Sequence, residues 1–305
     1  MSGRVAVLLA AYQGARFLPA QLQSLAEQTY PDWALYWRDD GSSDATPALL
    51  GAFRARPSHA IDDAPGRLGA AGNFFHLLRA ALAEPDMAYF AFCDQDDVWH
   101  ADKLARAVAR LGGLPAARPA LYCARAILVD ADLRPLGETP RLRRAPGFPA
   151  ALTQNIAIGC TTVLNRAAAE LVAASRPPAE TLHDWWSYLL VSAAGGAVLA
   201  DPAPVLAYRQ HRENAIGARP SLPGRAFGAM RRGRTSFVAQ FRAHLAGLGE
   251  NRALLPEPRR AEVASLAAAL ARRRRRRLAL LFWPGLKRQT ALETLVFRLW
   301  LFATR

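Results

Sequence analysis

The sequence predicts an α/β fold, a mostly parallel sheet with helices on both faces, followed by a helical and basic C-terminal appendage. Three observations lead there. Short apolar runs alternate with helix-like segments from residue 4 to about residue 93. Acidic clusters follow two of those runs, at the places where strands of a parallel sheet end and ligands gather. Excess arginine collects in residues 205–305, whereas residues 1–130 are mixed in sign.

The elements follow in order. Residues 4–11 are a continuous aliphatic run that passes directly into Tyr12-Gln13-Gly14, with no small-residue cleavage pattern, so they read as a buried strand and not as a leader. A helical pattern from Leu18 to Gln28 and a second apolar run from Trp33 to Trp37 complete a βαβ beginning. Asp44 to Arg56 reads as a helix, with Asp44 as N-cap and Pro57 as its stop, and Gly72 to Ala83 reads as the next. A strand from Ala88 to Cys93 then runs into acids. Beyond Pro115 the pattern loosens: a strand from Ala120 to Val129, a loop from Pro135 to Pro149, and a short strand from Cys160 to Asn165. Helices follow from Ala167 to Ser175 and from His183 to Ala194. This gives an α/β domain over 1–218, a Gly-, Pro- and Arg-rich linker over 219–234 and a helical appendage over 235–305.

Composition narrows the classes. With 305 residues, 51% of them hydrophobic, the chain buries a substantial core and is not intrinsically disordered. Cys93, Cys123 and Cys160 are an odd number without zinc-like spacing, which suits a reducing compartment better than a disulfide framework. No run approaches the roughly 18 apolar residues of a membrane-spanning helix. The net charge of +14 calls for an anionic partner, either nucleic acid or the negative cytoplasmic leaflet. Six consecutive arginines, 272–277, precede Leu278-Ala279-Leu280-Leu281-Phe282-Trp283 and a Leu-, Phe- and Trp-rich stretch over 292–302. That juxtaposition fits an interfacial membrane anchor, or equally a helical unit packed on its own domain.

Four constellations carry chemistry. Arg38-Asp39-Asp40-Gly41-Ser42-Ser43-Asp44 sets two adjacent carboxylates at a strand exit. They are acceptors for the N–H of a pyrimidine base or for ribose hydroxyls, and Asp44 caps the helix that follows. Asp94-Gln95-Asp96-Asp97-Val98-Trp99 crowds three carboxylates that repel one another unless a cation neutralises them, and hard oxygen ligands suit Mg²⁺ or Mn²⁺ bridging to a diphosphate. His183-Asp184-Trp185-Trp186 holds an acid amid aromatic bulk at a helix start: an N-cap, or a partly desolvated general base. In Tyr208-Arg209-Gln210-His211, Arg209 and His211 point the same way on an extended segment, within reach of a diphosphate or its metal.

Taken together, Leu8 to Gly14, Asp39 to Asp44, Gly72-Asn73-Phe74-Phe75, Asp94 to Trp99, His183 to Trp186 and Tyr208 to His211 resemble family 2 glycosyltransferases over roughly residues 4–217, closest to the rhamnosyltransferase-like branch of bacterial surface polysaccharide synthesis. The resemblance implies a GT-A fold, a Rossmann-like nucleotide-binding sheet merged with an acceptor-binding half. It implies transfer from a nucleotide-diphosphate sugar to a glycan or lipid-linked acceptor with inversion, and a Mg²⁺ or Mn²⁺ cofactor. Site residues carry over position by position. Ala10, Tyr12 and Asp40 would hold the donor's nucleoside, with Asp39, Asn73, Asp94 and Arg209 also on the donor; Asp96, Asp97 and His211 would hold the metal; Asp184 would be the catalytic base. A cytoplasmic location, peripheral on the inner face of the cell membrane through the basic C-terminal region, follows from the lipid-linked acceptor. The Gln-x-x-Arg-Trp motif and membrane helices of processive synthases are absent, which argues against long-chain processive synthesis.

Two other classes compete. A nucleic-acid-binding protein would explain the arginines, but it leaves the acid clusters unused and lacks an aromatic–basic recognition motif. A nicotinamide oxidoreductase would show Gly-x-Gly-x-x-Gly after the first strand, where this chain has Ala10-Ala11-Tyr12-Gln13-Gly14.

Overall fold

A computed structural model describes residues 3–211, 222–271 and 278–303. Among these, nine strands form one sheet in the order β3-β2-β1-β4-β8-β6-β9-β5, with β7 pairing on β6. The strands are β1 (Arg4–Ala11), β2 (Trp33–Asp39), β3 (Ser58–Ala60), β4 (Met87–Asp94), β5 (Val98–Trp99), β6 (Ala120–Val129), β7 (Pro135–Glu138), β8 (Val163–Asn165) and β9 (Ala197–Arg209). β3, β2, β1 and β4 are mutually parallel, as are β6 and β9, while β8, β7 and β5 run against their neighbours. The short antiparallel β8 is what joins the nucleotide-binding type of half-sheet to the second half.

Both faces of the sheet are covered, which is why β1 reads as an unbroken apolar run. Val5, Val7 and Leu9 of β1 pack under α1 (Leu18–Ala26), α2 (Thr46–Gly51) and α4 (Lys103–Gly112), in one core with Tyr89, Cys93, Tyr122 and Val205. Ala6 and Leu8 face the other way, toward α3 (Gly69–Leu82), α5 (Arg166–Ala173) and α6 (His183–Ala193). The C-terminal helices α7 (Leu222–Glu250), α8 (Glu257–Ala271), α9 (Leu278–Leu281) and α10 (Ala291–Ala303) close this second core, since Val238, Phe241, Leu245, Leu266, Leu280 and Phe297 belong to the same buried cluster as Trp186 and Leu121. The helical region thus shares its core with the α/β part.

Several boundaries differ from the sequence reading. The second helix is only Thr46–Gly51, and a short edge strand occupies Ser58–Ala60. The expected linker is helical from Leu222 onward, with Pro223 in the first turn of α7, where its missing N–H costs no hydrogen bond; residues 219–221 and 272–277 lie outside the described residues. No helix among the described residues is long and apolar enough to cross a membrane.

Candidate active site

The register of three strands builds the floor of the site. Ala11 of β1 pairs with Asp39 of β2, and Ala10 pairs with Asp94 of β4, so the first two acid clusters leave the sheet at the same edge on either side of β1. Interstrand spacing of about 4.8 Å sets them roughly two strands apart. Gln95 then ties the loop after β1 to the loop after β4: its Oε1 accepts from Tyr12 N at 2.9 Å and its Nε2 donates to Tyr12 O at 2.9 Å. A Cβ on Gly14 would stand 2.2 Å from that Oε1, so glycine lets the two loops touch.

The first cluster is largely consumed by the chain itself. Asp40 is 2% exposed; Oδ1 accepts from Leu68 N at 2.8 Å and from Arg38 Nη1 at 2.7 Å, and Oδ2 accepts from Gly69 N at 2.9 Å. Burial opposes its ionisation, but these donors win and hold the carboxyl below the usual range. Arg38 also donates to Asn73 Oδ1, to Ala64 O and to Gly66 O. Asp40 and Asn73, both expected on the donor, clamp the 64–69 segment over the strand ends, and Arg38, which the sequence reading left without a role, is the hub. Asp39 receives Gly41 N and the backbone and hydroxyl of Ser42, which shapes the turn through Gly41 at φ +88°. Ala10 stays at the register position beside Asp94. Tyr12 is exposed at the rim, its ring covered by the Arg67 guanidinium 3.7 Å from the centroid.

The second cluster divides by depth. Asp96 faces His211, whose Nε2 lies 2.6 Å from Asp96 Oδ2, so two residues expected at a metal are brought together across 115 positions of chain. Arg209 fixes this pair from behind, donating through Nε to Asp96 O at 2.8 Å and through Nη1 to Ala131 O. At 3% exposure, these carbonyl contacts make it a brace. Asp97, expected as a metal ligand, is fully buried; Oδ1 accepts from Arg209 N at 3.3 Å, and the Cys160 thiol lies against the carboxyl. Asp94, Asp97 and Cys160 bring ligand atoms within 4.8 Å of one another. Burial holds the Cys160 thiol well up in pKa, and Lys103, itself fully buried with its Nζ 2.9 Å from the Trp99 ring centroid, is brought down to about 7 by that burial although the charges of Asp97 and Asp94 oppose the shift. Asp97 thus lies in the interior, its carboxyl within the group of possible ligand atoms that it shares with Asp94 and Cys160. Burial raises the Asp94 carboxyl above its ordinary value, and the charges of Asp96 and Asp184 raise it further. A carboxyl raised by burial and by neighbouring carboxylates, as Asp94 is, is one whose charge a divalent cation relieves, and the Asp96 carboxylate and the His211 ring beside it are an oxygen and a nitrogen donor 2.6 Å apart.

The third cluster stands opposite. Asp184 lies in the first turn of α6, 9% exposed, with Oδ1 accepting from Trp185 N. Burial pushes it up to about 6 against the opposing hydrogen bonds from Trp185, Asn155 and Gly159. His183 beside it is a neutral spacer, stacked 3.9 Å from Phe74 and edge-on to Phe92 at 4.7 Å, and burial depresses it to about 3. A Cβ on Gly159 would meet His183 Nε2 at 2.8 Å and Asp184 Oδ2 at 3.5 Å. Gly159→Ala is therefore expected to displace Asp184 and lower kcat by about tenfold with little change in donor affinity, measured by steady-state kinetics beside donor titration. Wild-type kcat would show that the carboxylate's position is not critical.

Acids from two strand ends and a buried carboxylate facing them, on a Rossmann-like half-sheet, define a nucleotide-sugar transferase. The model of glycosyl transferase family 2 matches residues 6–169, more than half of the 305. The chain belongs to glycosyl transferase family 2. It is 27% identical over 230 residues to dTDP-rhamnosyl transferase RfbG of Shigella flexneri, spanning 70% of this chain and 75% of that one. It is also 31% identical over 100 residues to UDP-Glc:alpha-D-GlcNAc-diphosphoundecaprenol beta-1,3-glucosyltransferase WfgD of Escherichia coli, which covers 33% of this chain and 38% of that protein. Among solved structures, residues 1–349 of S. aureus TarS with UDP-GlcNAc superpose with a TM-score of 0.56 at 14% identity, covering 97% and 90% of the chains. The mannosyltransferase PcManGT of Pyrobaculum calidifontis, with GDP-Man and Mn²⁺, superposes at 0.53 and 18% identity, covering 99% and 86%. These likenesses establish the GT-A fold.

Proposed function

We propose that the chain is an inverting, metal-dependent, non-processive enzyme that moves rhamnose from a dTDP donor onto a hydroxyl of a lipid-linked glycan, at the inner face of the membrane, in cell-surface polysaccharide synthesis. The observation that carries the proposal is the buried Asp184 carboxylate, poised near 6 and close enough to the strand-end acids to raise Asp94. The donor follows from the similarity to RfbG and the lipid-linked acceptor from WfgD, each by what its name states. Asp94, Asp96 and His211 would hold Mg²⁺ or Mn²⁺, which when bound offsets charge on the departing nucleotide diphosphate.

The chain's own residues supply the rest. Tyr12 offers a ring face at the rim, Ala10 and Asp39 line the strand ends below it, and Arg67 brings an exposed cation over the mouth. Asp40, Arg38 and Asn73 keep the covering segment in place, and Arg209 and Asp97 hold the Asp96–His211 pair. Asp184 takes the acceptor's proton at its carboxylate while the acceptor oxygen attacks the anomeric carbon from the side opposite the nucleotide, which inverts the configuration. Thermal-shift titration with dTDP-, UDP- and GDP-sugars in the presence of Mn²⁺ tests the reading. Saturating dTDP-rhamnose should raise the melting temperature by roughly 2 °C and exceed the others. No shift with any nucleotide sugar would remove the proposal.

A further inference from the structure

The C-terminal helices have two different faces. In α10, Thr294, Phe297 and Leu301 are buried, while Leu292 at 71%, Leu295 at 56% and Leu299 at 47% exposure form the opposite stripe at helical spacing. Leu278 of α9, at 51%, and Phe282 just after it, at 78%, add to the exposed apolar bulk of the same helical pair, which packs together. The choice between an appendage packed on its own domain and an apolar surface is thus not a choice: one side does the first and the other side presents the second. Five large apolar side chains left in water on two adjoining helices call for a partner.

The flanking charge identifies it. Lys287, between α9 and α10, is exposed, as are Arg141 and Arg143 on the loop that Gln289 holds through Arg143 N at 2.8 Å. In the sequence, the arginines 272–277 immediately precede α9. Apolar side chains fringed by cations match an anionic lipid surface, where leucine and phenylalanine enter the acyl boundary and arginine and lysine stay among headgroups. A protein partner would be apolar and acidic, and a second copy of this chain would set like charges together. The segment between α9 and α10 is hydrogen-bonded to the turn that packs beside Asp184. Lys287 O accepts from Thr153 Oγ1 at 3.0 Å, and Ala151, two residues earlier, accepts Trp185 Nε1 at 2.8 Å beside Asp184.

We propose that the outer face of α9 and α10 docks on the surface of an anionic bilayer, seating the acceptor side of Asp184 against the membrane. This deepens the proposed function by naming the surface that makes the membrane contact. Flotation of the full chain with phosphatidylglycerol-rich and with phosphatidylcholine vesicles tests it, with the donor-induced thermal shift measured in parallel. The wild type should float with the anionic vesicles. A Leu292→Ser, Leu295→Ser, Leu299→Ser variant should lose binding by about tenfold or more, and Phe282→Ser by a smaller factor, with the donor shift unchanged. Undiminished flotation of both variants would overturn the docking face, as would equal binding to neutral vesicles by wild type and triple variant. A wild-type dimer that the triple variant dissolves, with no flotation, would overturn it in favour of self-association. Flotation without any donor shift would sink the enzyme reading alone.

Discussion

Asp184→Asn is expected to lower turnover by about 10²- to 10⁴-fold while leaving donor affinity within about threefold, because a general base acts only in the transition state. Single-turnover transfer and donor titration separate the two quantities. Normal turnover would take Asp184 out of the chemistry. The pH profile gives a second check. The base works ionised, so wild-type kcat should rise with pH through a midpoint near 6, where burial sets the group, and level off above it. A bound cation nearby can only move that midpoint down. Stability runs the other way. The folded state holds this proton more tightly than the unfolded chain, so the contribution of Asp184 is fully present only below the ordinary value of 3.8 and is lost as pH rises through 6. The Asn variant should therefore melt higher than wild type at pH 8, and the gap should close in acid. A fall in melting temperature at pH 8 would mean that the carboxylate stabilises the fold.

The second large effect concerns the cation. Excess chelator should abolish transfer, Mg²⁺ or Mn²⁺ should restore it, and Asp96→Ala should stay at least about 10²-fold down at metal concentrations that saturate wild type. Asp97→Asn should behave differently. Its carboxyl is fully buried and held well above the usual carboxylate range by that burial, so at pH 8 the neutral amide should melt no lower than wild type and leave the metal requirement unchanged. Full activity in chelator would refute the metal assignment, and a purely metal-dependent defect in Asp97→Asn would return that residue to the metal.

What could be read from residues alone follows from where the signal is local. β1, β2 and β4 stand out because burial on both faces makes them continuous apolar runs, and α3 because Phe74, Leu77, Leu78 and Ala81 recur at helical spacing. Ser58–Ala60 and Val98–Trp99 are too short for any period, and they are strands only because β2 and β9 lie beside them. The start of β9 shows no continuous apolar run because Pro202 and Pro204 interrupt it, and the structure accommodates both where the ladder with β6 shifts register. At the site, the identity of the acids was legible and their use was not. That Asp40 spends its oxygens on Leu68 and Gly69, or that Asp97 answers Arg209 from 112 residues away, is a matter of tertiary neighbours. Gly159 carries no local mark at all; its role appears only when α6 is set against it.

Of the chain's cations, only Lys103 and Lys287 are lysines, and one is sealed above the Trp99 ring while the other is open to water. Acylating reagents need a neutral amine and room to approach it. Burial brings Lys103 down to about 7, yet no reagent can enter, so the native protein should take up label on one side-chain amine, Lys287. That position gives a single side-chain amine handle for a dye or a solid support, and label found on Lys103 would count molecules whose interior has opened.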